Sequence, residues 1–173
     1  ATFVQMEMLE AGYAAVGEFH YLHHQPGGAP YGNLGEMSER IAAAASETGI
    51  GLTLLPVLYT YGGCDRRPLA PGQIRFGNDF EQFQKLHEQA GDTLRSLDND
   101  SVLGVAPHSL RAVDSDALKN AIALAGQKPL HMHLAEQVAE VEEVLEATGK
   151  RPVGWLLDNH DVSKNWCLIH CTQ

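Results

Sequence analysis

The amino-acid sequence predicts an α/β fold, part of a (β/α)8 barrel of TIM type with about five of its eight strands present. Three observations carry that expectation. Helical and extended patterns alternate strictly along the 173 residues, as in a parallel sheet of apolar strands covered by helices. His20, His108, His133 and His170 each close a different expected strand. The connections after two of those strands are long, while the helix-to-strand turns after Thr48 and Ala125 are short. A barrel that gathers its chemistry at the carboxyl ends of its strands has this asymmetry. A doubly wound open sheet would usually carry a glycine-rich phosphate turn after an early strand, and no G-x-G-x-x-G or P-loop pattern is present.

The chain opens on an amphipathic helix with Phe3, Met6 and Leu9 on one side and Gly12 as its stop. Tyr13 to His20 reads as a buried strand running into a polar, glycine-rich loop from His23 to Asn33. Met37, Ile41, Ala44, Ala45 and Thr48 then line a helix that stops at Gly49, followed by the strand Ile50 to Tyr59. The segment from Tyr61 to Gly77 is long for a connection and suggests a lid or binding loop. A helix from about Asp79 to Leu97 places Phe80, Phe83, Leu86, Ala90, Leu94 and Leu97 inward, ahead of the strand Val102 to Pro107.

Asp114 is placed to cap the next helix, whose inward positions are Leu118, Ala121, Ile122 and Ala125. The strand Pro129 to His133 comes next. The helix Val138 to Thr148 should turn Val138, Val141, Val144 and Leu145 inward and leave Glu140, Glu142, Glu143 and Glu146 in water. Trp155-Leu156-Leu157 reads as a short apolar turn, and Trp166 to His170 as the last strand. Both ends of the chain fall beside predicted elements, so residues 1–173 are expected to be a fragment carrying barrel strands two to six.

The net charge of −10, from 12 Lys and Arg against 22 Asp and Glu, argues against nucleic-acid or membrane partners, which call for a basic patch. A small-molecule substrate is favoured. Cys64, Cys167 and Cys171 are odd in number and lack metal-site spacing, and no apolar run resembles a signal peptide or a membrane span. Free thiols in the cytoplasm are the expectation.

The densest chemistry lies in Leu130-His131-Met132-His133-Leu134-Ala135-Glu136-Gln137. Alternation along a strand puts His131 and His133 on one face, with Glu136 in the turn just beyond. A neutral imidazole is the commonest metal ligand, and a carboxylate that does not itself ligate can act as base toward a metal-polarised water. His131, one pleat deeper, is expected to be a wall residue. His20, His23 and His24 lie at a loop mouth without the paired spacing of a metal motif, and His87 and His160 read as surface residues. Cys171 should point away from His170 and serve packing.

Four strings together carry a family resemblance. They are Glu18-Phe19-His20-Tyr21-Leu22-His23-His24, Gly51 through Tyr59, Gly104 through Val113 with its Pro107-His108-Ser109-Leu110-Arg111 core, and His131 through Gln137. In collinear order over essentially the whole chain, they resemble the formiminoglutamate deiminases, barrel enzymes of the amidohydrolase superfamily. The resemblance implies hydrolysis of N-formimino-L-glutamate to N-formyl-L-glutamate and ammonia, a step of histidine degradation, on one zinc ion and in a homodimer. It implies His133 as the zinc ligand, Glu136 as proton carrier, His170 as a second catalytic histidine, and His108 with Arg111 as the substrate-contacting pair. Tyr21 is implied as a further substrate contact.

The substrate's glutamate moiety carries two carboxylates, and a guanidinium such as Arg111 can bind one bidentately. Arg66, Arg67 and Arg75 could assist, although surface roles are favoured for them. The superfamily completes its metal site with a His-x-His pair on the first strand and an Asp on the eighth, and neither strand is expected within residues 1–173. The isolated segment is therefore expected to bind zinc poorly and to be inactive. Three other readings stay open: a different deaminase of the same superfamily, a metal-free protein that binds an anionic metabolite, and a structural or interaction module with exposed strand edges.

Overall fold

A computed structural model describes residues 1–97 and 100–173. In chain order the elements are α1 (Thr2–Glu10), β1 (Ala15–His20), α2 (Glu36–Thr48), β2 (Gly51–Leu58), α3 (Phe80–Leu94), β3 (Val102–Leu103) and β4 (Ala106–Pro107). They continue with α4 (Ser115–Ala125), β5 (Leu130–Leu134), α5 (Val138–Thr148), α6 (Pro152–Asn159) and β6 (Trp166–His170). Every strand pairing is parallel. β1 lies beside β2 in the register Phe19 to Leu55, β2 beside β3 and β4, and β5 beside β6 in the register His133 to Ile169. A bridge between Val105 and Leu130 joins the two sets into one arc.

The arc curls. Gly17 on β1 faces His131 across the concave side, with 3.9 Å between the position a Cβ would take and the imidazole Cε1. These residues lie on strands that are not neighbours in the sheet, so the curvature is that of a barrel wall. Phe19, Leu55, Val57, Tyr59 and Ala106 pack together on the concave face. On the convex face Leu58, Phe83, Leu118, Leu130, Met132 and Leu156 form a second, larger core beneath the helices. Each such side chain contributes about 1.5–3 kcal/mol when fully buried.

The helix boundaries follow their caps. The Asp79 carboxylate accepts from Gln82 N at 2.8 Å and the Asp114 carboxylate from Ala117 N at 2.9 Å. Gly49 and Gly149 end α2 and α5 in the left-handed conformation (φ 76° and 75°) that glycine adopts without a Cβ penalty.

Several expectations are corrected. The single strand foreseen over 102–107 is broken at Gly104–Val105. There the backbone turns its amides to opposite neighbours, Gly104 N to Leu54 O (2.8 Å) and Val105 N to Pro129 O (2.9 Å). Residues 155–157, read as a turn, belong to α6, which Pro152 starts at its first turn. In α1 the buried residue is Gln5, which accepts from Thr48 Oγ1 (3.2 Å); Leu9 packs on the core as foreseen, while Phe3 and Met6 are exposed. In α5 Val138 and Leu145 are exposed and Glu140 is buried. Neither His87 nor His160 is fully exposed; His87 Nε2 lies 3.2 Å from Gly104 O.

His20, His23 and His24 are also buried. Instead of facing the loop mouth, the last two clasp the first two strand-to-helix loops together. His23 Nε2 donates to Val57 O (2.9 Å) and His24 Nε2 to Gly77 O (2.8 Å), while both backbone amides donate to Arg75 O (3.0 Å each). Arg75 Nε in turn donates to His24 O (2.8 Å). Burial lowers the His20 pKa from 6.5 to about 4 and, with His20 nearby, the His23 pKa to about 3.

Two predictions follow from this architecture. The native protein holds His20 and His23 neutral where the unfolded chain, titrating near 6.5, takes up protons. Stability is therefore complete above about pH 6.5 and falls as the pH drops, by up to about 1.4 kcal/mol per pH unit for each histidine. Urea unfolding between about pH 6.5 and about pH 5.5 should show this slope, and His23→Gln should make it shallower; an unchanged slope would exclude His23 as a source. A Cβ at Gly104 would stand 2.5 Å from Pro129 O and 2.6 Å from Leu55 Cδ2. Gly104→Ala should accordingly cost about 1–3 kcal/mol in the same measurement.

Candidate active site

The carboxyl ends of β1, β4, β5 and β6 converge on the concave face and bring the strand-end residues together. The His133 ring lies 5.0 Å from that of His108 and 5.4 Å, nearly parallel, from that of His170. The Glu136 carboxylate reaches within 3.7 Å of His170 Nε2. Tyr21 stands edge-on to His108 with the ring centres 6.3 Å apart. His131 lies one pleat deeper, against Gly17, as its place in the strand implies.

Strand alternation alone would send His170 to the face opposite His133, since Ile169 is the residue paired with His133. The backbone resolves this. His170 and Cys171 both take positive φ (79° and 53°), so the chain turns sharply at the strand end and swings the His170 ring over His133. Cys171 N then donates to Leu134 O (2.8 Å), which ties the turned segment to the end of β5.

Around the imidazoles is an aromatic wall for which sequence reasoning named only Tyr21. Phe19 packs edge-to-face on His133 at 4.4 Å, Tyr59 lies 4.5 Å from His108, and Phe76 packs edge-on against Tyr21 at 4.6 Å. Phe19 was findable, because it precedes Tyr21 by two positions. Phe76 was not, since it arrives from the long second loop.

The environment keeps His108 neutral. Burial, followed by His133 and the Arg111 charge, lowers its pKa from 6.5 to about 3. Its Nδ1 lies 3.0 Å from Ser109 Oγ, which fixes the ring. Burial and His170 lower the pKa of His133 as well.

Arg111 acts on His108 electrostatically and also lines a cavity of about 290 Å³, together with Tyr61, Cys64, Arg66 and Trp155. This cavity lies between the second loop and α4 to α6, and its lining includes none of His108, His133, Glu136, His170 and Tyr21. The loop from Tyr61 to Gly77 is pinned over it. Arg66 pairs with Asp114 (3.0 Å), Arg67 with Glu143 (2.7 Å), and Cys64 N donates to Glu143 (3.0 Å). Arg66, Arg67 and Arg75 thus hold loops in place.

As to metal, His133 Nδ1 is buried and makes no hydrogen bond. A protein zinc site takes three or four ligands. Among the described residues no group of three His, Cys, Asp or Glu side chains could hold a metal ion. The residues present therefore fit one corner of such a site.

Comparison with known proteins places this geometry in context. A formimidoylglutamate deiminase of Pseudomonas aeruginosa is 44% identical over 97% of the chain and 37% of its own length. A 5-methylthioadenosine/S-adenosylhomocysteine deaminase of Shouchella clausii is 24% identical over 95% of the chain and 33% of its length. The crystal structure of an amidohydrolase from Brucella melitensis superimposes with a TM-score of 0.96 at 53% identity, over 99% of this chain and 38% of that one. An adenosine deaminase from Xanthomonas campestris, solved with bound zinc, shares the fold at a TM-score of 0.74 and 21% identity, over 99% of this chain and 34% of that one. The chain thus spans about a third of the length of each of these four proteins. The model of the amidohydrolase family matches residues 1–172, and the chain belongs to that family.

Proposed function

We propose that this chain is the central part of a zinc-dependent hydrolase that converts N-formimino-L-glutamate and water to N-formyl-L-glutamate and ammonia in histidine degradation. The carrying observation is the meeting of His108, His133, Glu136, His170 and Tyr21 at one end of the curled sheet. The 44% identity with a formimidoylglutamate deiminase supports the choice of substrate. Its three free cysteines accord with a cytoplasmic setting, and a homodimeric whole protein belongs to the same proposal.

His133 would hold the zinc from this chain, and its remaining ligands would come from outside it. Bound there, the metal supplies Lewis acidity and a water of lowered pKa. The other roles fall to the chain's own groups. The formimino carbon is electron-poor and amidine-like, so attack by water produces a tetrahedral centre that must expel nitrogen as ammonia. Glu136 takes the proton from the attacking water and delivers it to the leaving nitrogen, serving both halves of the step. His170, beside its Oε2, orients that carboxylate and exchanges a hydrogen bond with the reacting centre. The neutral His108 ring offers a hydrogen bond to the substrate rather than a second cationic charge. Arg111 binds a carboxylate of the glutamate moiety, and the Tyr21 hydroxyl helps to hold it.

The test is metal content and ammonia release from N-formimino-L-glutamate, on the longest reading frame containing this chain and on the 173-residue chain alone. The longer protein should carry about one zinc per polypeptide and release ammonia, while the segment alone does neither. Zinc binding without turnover of this substrate, but with turnover of an adenosine-type ring amidine, would remove the substrate assignment and keep the hydrolase. Within the longer protein, Glu136→Gln should retain zinc and lower kcat by about 10²–10⁴-fold, whereas His133→Ala should lose the metal. A Glu136→Gln variant at wild-type kcat would eliminate Glu136 as the proton carrier.

A further inference from the structure

The turn that carries Glu136 is short and strained. Ala135, Glu136 and Gln137 alone connect the end of β5 to the first residue of α5. Ala135, fully buried, adopts φ 52°, a left-handed conformation that a residue with a Cβ rarely takes. Such a conformation persists only where its surroundings over-determine it.

Those surroundings are visible on both sides. Ala135 O accepts from Thr172 N (3.2 Å) and Gln173 N (3.1 Å). On the other side stands Glu140, an acidic residue in the first turn of α5 that is only 5% exposed. Its Oε1 accepts from Ala135 N (3.0 Å) and its Oε2 from Glu136 N (2.9 Å). In an ordinary capping box a glutamate at this helical position reaches back to the amide of the N-cap residue, here Gln137. Glu140 reaches past it and grips the two preceding amides, one of them that of Glu136 itself. The Glu136 side chain leaves this fixed backbone toward His170 Nε2.

We propose that Glu140 is a positioning residue: its buried carboxylate holds the Ala135–Glu136 amides so that the Glu136 carboxylate stands beside His170 at the mouth of the barrel. This rests on the proposed role of Glu136 as proton carrier. The carboxylate form is specifically required, because both oxygens face N–H donors. In Glu140→Gln the side chain keeps its shape and one acceptor, but its NH2 group opposes a backbone N–H.

The experiment compares wild type, Glu140→Gln and Glu140→Asp in the longest reading frame containing this chain, loaded with zinc. A displacement of about 1 Å can cost about 100-fold in rate, so Glu140→Gln should lower kcat by that order. KM should stay within about two-fold and zinc content should match wild type. Amide hydrogen exchange at residues 135 and 136 should accelerate, and a crystal structure of the variant should show Glu136 moved away from His170. Glu140→Asp, which can reach one amide, should fall between the two. The proposal is overturned if Glu140→Gln turns over within about two-fold of wild type, if Glu136 keeps its place in the variant crystal, or if kcat falls only in step with zinc loss and a lower melting temperature, as for a mere helix cap. Failure of the wild-type protein to release ammonia would remove the functional reading instead; the exchange rates and the position of Glu136 still decide the role of Glu140.

Discussion

The contact between Phe19 and His133, 4.4 Å between ring centres, ties the geometry of the site to the geometry of the sheet. The two residues stand on strands that are not hydrogen-bonded to each other, so they meet only because the sheet curls. One pleat below, Gly17 faces His131 and Leu55, with room for a Cβ at ordinary contact distance (3.9 Å from each). Parallel strands with apolar convex faces supply the force for closure by burying Leu118, Leu130, Met132 and their neighbours beneath the helices. Chemistry at the strand ends is thus a consequence of packing on the opposite face.

The aromatic wall does more than close space. Phe19, Tyr59 and Tyr21 pack around the His108 ring, and an imidazole deprived of water disfavours its charged form. Arg111 reinforces the effect at His108, whose pKa lies near 3 with burial as the first cause. Under the proposed function a neutral His108 ring suits a cationic amidine-like group, which a protonated one would repel. The same burial acts on His20 and His23, and for His23 the benefit is structural: its ring N–H holds Val57 O. One sequence string, from Glu18 to His24, therefore serves two purposes on opposite sides of the wall.

Much of this was legible in the residues. The alternation of periods predicted the arc, Asp79 and Asp114 announced their helices, and the strand-end positions of His108, His133 and His170 foretold that the three rings meet at one end. What was not legible depended on facts that sequence periodicity does not hold. Gln5 is inward because Thr48 offers it a hydroxyl, a contact between helices. The strand over 102–107 is divided at Gly104–Val105, where the packing is so close that a Cβ at Gly104 would stand 2.5 Å from Pro129 O. His170 shares a face with His133 only through two left-handed residues that no propensity scale favours. Glu140 looked like one of four solvated acids on α5, and the orphan amides that draw it inward are produced by the turn itself.

Glu136 and Glu140 are the same residue type four positions apart, and their different fates show how the turn divides labour. A buried carboxylate is tolerable only when its oxygens are satisfied, and Glu140 meets that condition with the two amides that Ala135's strained backbone leaves pointing at it. Glu136 makes no such contact to the backbone; its neighbours are Gln137 and His170, so its oxygens remain available at the mouth. A proton carrier has to be held in place without having its lone pairs consumed. In the proposed reading, fixing the Glu136 backbone through a second carboxylate holds that residue while its own oxygens stay free.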